Sequence, residues 1–139
     1  MVDQNCAYCM EGELVSKFGI KICELETSKV YLFKEQSHPG RCIVAHKKHV
    51  GDMNELTAEE RAAYFEDVAR VARAIMKAFN PDKVNYGAYG DTGHHLHFHL
   101  CPKYKDEYEW GGVFLMNPDK KYLTDEEYAD MIEKIKANL

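Results

Sequence analysis

Histidines occupy every second position in His95-Leu96-His97-Phe98-His99, with His94 just before and Leu100 just after. On a β-strand successive side chains point to opposite faces, so this spacing predicts His95, His97 and His99 on one face and Leu96, Phe98 and Leu100 on the other. Near neutral pH an imidazole serves as nucleophile, acid, base or metal ligand. Two chemistries fit a row of three: a catalytic zinc held by strand histidines at i and i+2, or a histidine that itself attacks an electrophile. One histidine on a strand reads most simply as packing or surface, but strict alternation after a Gly90-Asp91-Thr92-Gly93 turn points to function. A second cluster, Cys6-Ala7-Tyr8-Cys9, has two thiols at a spacing that chelates one tetrahedral zinc, with a redox pair or an incidental pair as competing readings.

The elements that must carry these residues follow from periodicity. Residues 17–25 and 29–35 read as two strands around the Glu26-Thr27-Ser28 turn, with Phe18, Ile20, Ile22 and Glu24 alternating with more polar neighbours in the first. After the Ser37-His38-Pro39-Gly40 turn, the apolar run Cys42-Ile43-Val44-Ala45 predicts a buried strand over 41–46. Thr57-Ala58-Glu59-Glu60 is a capping box that opens a helix of about six turns, with Phe65, Val68, Ala72, Ile75 and Phe79 as its apolar stripe and Asn80-Pro81 as its stop. Strands over 83–89 and 95–102 flank the glycine-containing turn. A second capping box, Thr124-Asp125-Glu126-Glu127, opens the last helix, striped by Tyr128, Met131, Ile132, Ile135 and Leu139. Five strands, two helices and short hairpin-like connections predict an α+β fold on an antiparallel sheet.

At 139 residues, 45% hydrophobic and 29% charged, the composition predicts one globular domain spanning residues 1–139. No apolar run is long enough to span a bilayer, and no basic segment followed by an apolar one suggests export. Five cysteines in such a chain argue against a disulfide framework and for the cytoplasm, with Cys23, Cys42 and Cys101 as small buried residues. A net charge of −5 argues against general nucleic-acid binding, although donors at a turn can still hold a small anion. Trp110 fits a core anchor, a dimer contact or a lid equally well.

Taken together, His95-Leu96-His97-Phe98-His99-Leu100-Cys101 resembles the signature of the histidine triad superfamily, His-x-His-x-His followed by two apolar residues. Gly40-Arg41-Cys42-Ile43-Val44-Ala45-His46-Lys47-Lys48-His49 is similar to the family's upstream segment, and the likeness runs from Cys6 to about Lys103. The resemblance implies the histidine triad fold, a five-stranded antiparallel sheet with two main helices, and a nucleotide hydrolase or transferase working at the α-phosphorus. In that scheme His97 is the nucleophile and forms a nucleotidyl-histidine, while His99 donates to a phosphate oxygen or to the leaving group. Asp91, Thr92 and Gly93 would cradle the phosphate with backbone N–H groups, and Asn85 matches a further family contact. A purine nucleotide such as AMP as ligand and a homodimer are also implied. Likeness to the galactose-1-phosphate uridylyltransferases of the superfamily assigns Cys6, Cys9, His49 and His95 to a structural Cys₂His₂ zinc site.

The chain departs from the family pattern at Arg41, where many members carry histidine, at His46, where many carry proline, and at Asp91, where hydrolase branches carry glutamine. Phe33 and Lys34, with Glu35 next, fall where a ribose-holding group is usual. A nucleotide-binding scaffold with little turnover and a catalytic-zinc hydrolase are the rival readings. The substrate stays open among dinucleoside polyphosphates, nucleoside phosphoramidates and adenylylated metabolites.

Overall fold

Alternation in five short apolar segments produces one antiparallel sheet in the order β1-β2-β3-β5-β4. In the computed structural model, which describes residues 2–139, β1 is Gly19–Glu24, β2 Ser28–Phe33, β3 Cys42–His46, β4 Lys83–Gly87 and β5 His97–Lys103. The two hairpins, β1-β2 and β4-β5, are those the turns predict. The helices are α1 Ala7–Met10, α2 Gly12–Ser16, α3 Ala58–Phe79 and α4 Asp125–Ala137. Sequence periodicity predicts the last two; α1 and α2 are too short to carry a periodic signal. No helix among the described residues is long and apolar enough to cross a membrane.

The sheet's two faces do different work. Val30, Leu32, Cys42, Val44 and Leu100 share one core with Tyr64, Val68, Val71 and Ile75 of α3 and Tyr128 and Ile135 of α4. Tyr31, Phe33, Ile43 and Ala45 pack on the opposite face with Tyr8 of α1 and Val15 of α2. The long helices therefore cover one face and leave the face of the histidines to the short N-terminal segment.

Both capping boxes form: Thr57 accepts from the Glu60 backbone while Glu60 accepts from Thr57, and Thr124 and Glu127 do the same. Helix α3 ends at Asn80 in the left-handed conformation, just before Pro81. Three expectations shift. The buried stripe of α3 is centred on Tyr64, Val68, Val71 and Ile75, with Phe65 at its margin and 38% exposed. Tyr64 takes the central place because its hydroxyl donates to the Val44 carbonyl at 2.7 Å, satisfying the polar end of a buried ring. A bulge between Lys21 and Cys23 breaks the alternation of β1, so Glu24 turns to solvent on the side of Lys21, with which it pairs at 2.6 Å. Regular pairing of β5 begins at His97 rather than 95, because β3 pairs no further than Ala45 opposite His97. Leu96 is instead held by backbone bonds to Val50 and His46, which preserves the alternation through His95.

One buried carboxylate ties the helical layer to the first hairpin. Asp67 of α3 accepts from the Thr27 N–H at 2.9 Å, the Thr27 hydroxyl at 2.7 Å and the Ser28 hydroxyl at 2.6 Å. Replacing it by alanine strands these donors, so urea unfolding of Asp67→Ala should show a loss of about 3 kcal/mol, whereas Glu66→Ala on the exposed side should stay within about 0.5 kcal/mol.

Candidate functional site

Each of the three alternating histidines has one ring nitrogen committed to a different kind of partner. His95 Nε2 lies 2.6 Å from the His46 carbonyl oxygen, which can only accept, so Nε2 carries the proton and Nδ1 keeps its lone pair. His97 Nδ1 lies 2.6 Å from the His95 carbonyl oxygen, so here Nδ1 carries the proton and the free lone pair is on Nε2. His99 Nδ1 receives Arg41 Nη2 at 3.0 Å and Nε at 3.3 Å; a guanidinium can only donate, so the proton of His99 is on Nε2. One repeat thus presents free lone pairs on His95 Nδ1 and His97 Nε2 and an N–H donor on His99 Nε2.

Burial disfavours the charged form of all three rings. It is the main cause that lowers the pKa of His97, against the opposing bond to the His95 carbonyl. Burial likewise brings His95 to about 4, against its bond to the His46 carbonyl, and burial together with the Arg41 guanidinium brings His99 to about 2. Tyr8 supplies much of the cover over His97, its ring centroid 4.9 Å away and tilted by 37°.

The lone pair on His95 Nδ1 faces a cluster of donors. Cys6 Sγ lies 3.3 Å from it, His49 Nδ1 3.1 Å and Cys9 Sγ 3.7 Å, while Cys9 Sγ and His49 Nδ1 are 3.3 Å apart. All four ligand atoms lie within 4.8 Å of one another. A tetrahedral ion with bonds near 2.0–2.3 Å sets its ligand atoms roughly 3.3–3.8 Å apart, so two thiols and two imidazoles here fit such an ion. A redox pair fits less well, because burial raises the Cys6 thiol where a reactive thiolate needs the opposite.

These residues meet at a cleft of about 810 Å³ lined by His95, His97 and His99, by Asp91, Thr92 and Gly93 of the turn before β5, and by Cys6 and His49. A Cβ on Gly93 would sit 3.9 Å from His97 Cε1, so the donor-rich turn borders the ring edge that carries the free nitrogen. Phe18, Phe33 and Tyr8 add apolar wall suited to a flat aromatic ring. Asn85 is placed differently: it is half-buried on β4 opposite Cys101 and is not among the residues lining the cleft. Glu35 is also absent from the lining; its carboxylate accepts from the backbone of Ser37, Lys120 and Lys121 and anchors a loop.

The departures from the family pattern find roles. His46 is buried and its Nδ1 accepts from Lys48 N at 2.9 Å, closing the turn after β3. Trp110 is 41% exposed and off the cleft, which removes the core-anchor reading. Sequence reasoning misses Tyr8 as a cover for His97, and it misses Phe114, Leu115, Met116 and Asn117, which line the cleft from the loop before α4. Tyr8 had a signal, since a residue inside Cys-x-x-Cys must follow its cysteines to His95; the loop carries no periodicity and had none.

The HIT domain family matches residues 19–106. The adenosine 5'-monophosphoramidase of Schizosaccharomyces pombe is 28% identical over 116 residues, covering 77% of this chain and 80% of that protein. Among solved structures, a histidine triad protein from Sinorhizobium meliloti 1021 superposes with a TM-score of 0.84 at 24% identity, covering 92% of this chain and 95% of that one. A zinc-bound histidine triad family protein from Mycobacterium smegmatis gives a TM-score of 0.68 at 23% identity, covering 95% and 93%. At these identities the two structures bear on the fold alone. With its triad tautomers set one by one on a five-stranded sheet of that fold, the chain belongs to the HIT domain family.

Proposed function

We propose that this protein is a nucleotide hydrolase or nucleotidyl transferase that works at the α-phosphorus through a nucleotidyl-His97 intermediate. The observation that carries the reading is the 2.6 Å bond from His97 Nδ1 to the His95 carbonyl, which leaves Nε2 as an aimed, unprotonated nucleophile. The Nε2 lone pair forms a P–N bond while the bond from phosphorus to the leaving group breaks, and the leaving group takes the electron pair. The positive charge on the nucleotidyl-imidazole is shared through Nδ1–H with the carbonyl oxygen. Water then attacks phosphorus, the P–N bond breaks, the pair returns to Nε2 and the proton of water goes to solvent; another acceptor in place of water makes the reaction a transfer.

The other cleft residues supply binding and charge neutralisation, which phosphoryl centres need most. His99 Nε2–H donates to an oxygen on phosphorus, and the backbone at Asp91, Thr92 and Gly93 cradles the rest. Tyr8, Phe18 and Phe33 receive the purine of an AMP-containing substrate. The name of the fission-yeast relative supports phosphoramidates as one substrate class, beside dinucleoside polyphosphates and adenylylated metabolites.

Cys6, Cys9, His49 and His95 would hold zinc, which supplies a cross-link between α1 and the strand of the nucleophile. The zinc-bound relative from Mycobacterium smegmatis supports that choice of metal. Four protein donors fill a tetrahedral shell, so the role is structural. The free thiols suit a cytoplasmic protein. The open edge of the sheet at β4, where Tyr86 is 51% exposed, is the place for a second copy to extend the sheet into a homodimer.

Three outcomes test this reading. A radiolabelled adenylylated substrate should leave an acid-labile, base-stable label on the protein, and His97→Ala should lose both the label and turnover by roughly 10⁴-fold or more. Turnover surviving in His97→Ala would sink the covalent route. Atomic absorption should find one zinc per chain, and chelation or Cys6→Ser should lower Tm by about 10 °C or more; unchanged Tm in zinc-free protein would refute the structural role. Sedimentation equilibrium should return twice the 16.0 kDa mass of one chain.

A further inference from the structure

Arg41 is a buried cation with no carboxylate in contact among the described residues. Its side chain is fully enclosed, with the guanidinium carbon 4.2 Å from the Phe33 ring centroid and 4.8 Å from that of Phe114. Every polar partner is neutral: His99 Nδ1 at 3.0 and 3.3 Å, the Leu115 carbonyl at 3.1 Å and the Met116 carbonyl at 2.9 Å. Glu35 and Glu109 act on this charge only from a distance, and burying a cation with no carboxylate in contact is expensive, so a purely architectural purpose is a poor explanation for it. The site is built to receive it. Gly87, opposite His99 on β4, has no Cβ, and one placed there would come within 2.8 Å of the Phe114 ring that closes over the guanidinium.

What this cation does to His99 follows from its lack of any acceptor. A second proton on His99 must go to Nδ1, which already receives two guanidinium N–H groups. Accepting it would break both bonds and put two cations about 3 Å apart, away from water. The groups facing His99 are Arg41 from just before β3, Phe33 from β2, Phe114 from the loop and His97 from its own strand, and none is an acid. The ring stays neutral with Nε2–H outward, and the adjacent guanidinium polarises that N–H into a stronger donor.

Resting on the nucleotidyl-transfer reading above, we infer that Arg41 is a positioning residue that makes His99 a hydrogen-bond donor but not a proton donor, and so restricts the site to leaving groups that depart as stable anions. When His97 attacks, the bond from phosphorus to the leaving oxygen breaks with its electron pair, and His99 steadies the charge while keeping its proton. A nucleotide, a phosphate or a carboxylate leaves in this way. An alkylamine does not, because its nitrogen must gain a proton as the P–N bond breaks, and His99, the donor set at the leaving group, keeps its own. The favoured substrates are therefore phosphoric anhydrides and mixed acyl-phosphoric anhydrides of a nucleotide, ahead of its amides with basic amines.

A leaving-group series separates donor from acid. With the wild-type protein, kcat/KM for adenosine 5'-phosphate aryl esters of graded phenol acidity should fall about tenfold per unit of leaving-group pKa, and the alkylamide of AMP should react about 10³-fold or more slowly than diadenosine triphosphate. Arg41→Gln replaces the cation with an amide that can turn its oxygen to accept from a protonated Nδ1. That variant should flatten the slope and narrow the gap between amide and anhydride. Turnover with a flat wild-type slope overturns this inference alone, as does an Arg41→Gln protein that slows every substrate by one factor. If that variant does not fold, the wild-type slope decides. No turnover or labelling anywhere in the series overturns the nucleotidyl-transfer reading, and this inference with it.

Discussion

A carbonyl oxygen can only accept a hydrogen bond and a guanidinium can only donate one, and this asymmetry decides the chemistry of the whole cleft. Imidazole is ambidextrous, so three histidines on a strand face are chemically equivalent until something fixes their protons. Here the His46 carbonyl fixes His95, the His95 carbonyl fixes His97 and the Arg41 guanidinium fixes His99. Two of the three orienting groups belong to the backbone, which no side-chain substitution removes directly.

The sheet exists to hold that chain of partners in register. Pairing of Ala45 with His97 and Ile43 with His99 sets β5 against β3, and Arg41 follows just before β3 begins. The larger core that enforces the register lies on the other face, under α3 and α4, and the histidine face carries only the smaller cluster around Tyr8. Most of the apolar packing is thereby kept apart from the polar chemistry by the thickness of one sheet. Leu96, Phe98 and Leu100 anchor the strand while His95, His97 and His99 stay available.

This separation explains what was legible in the sequence. A period of two in residues 95–100 and capping boxes at Thr57 and Thr124 are local codes, and each predicts its element from neighbouring residues. Cys6 and Cys9 could be joined to His49 and His95 only through the family resemblance, because the partners lie 40 and 89 residues away. Arg41 was visible as an oddity and not as a control element, since its partners sit 58 to 75 residues downstream. The loop over residues 104–123 was illegible for a different reason. Its shape is set by anchors such as the buried Glu35 carboxylate and by Glu109, which accepts from His38 at 2.6 Å and from Leu115 N, rather than by any repeat of its own. Asn85, chosen by its place before a turn, shows the limit of linear position: it shares the face of the triad without reaching the cleft.

His95 serves two assemblies at once, its ring facing the N-terminal cysteines and its carbonyl aiming His97. A nascent chain therefore lacks the bonded His95–His97 pair while only its first two-thirds have been made. Closing residue 6 onto residue 95 brings together segments 89 positions apart, an entropic barrier that local contacts do not help to cross. The full set of contacts at His95 is in this sense a late product of folding: it is complete only when the N-terminal segment has met the strand of the histidines.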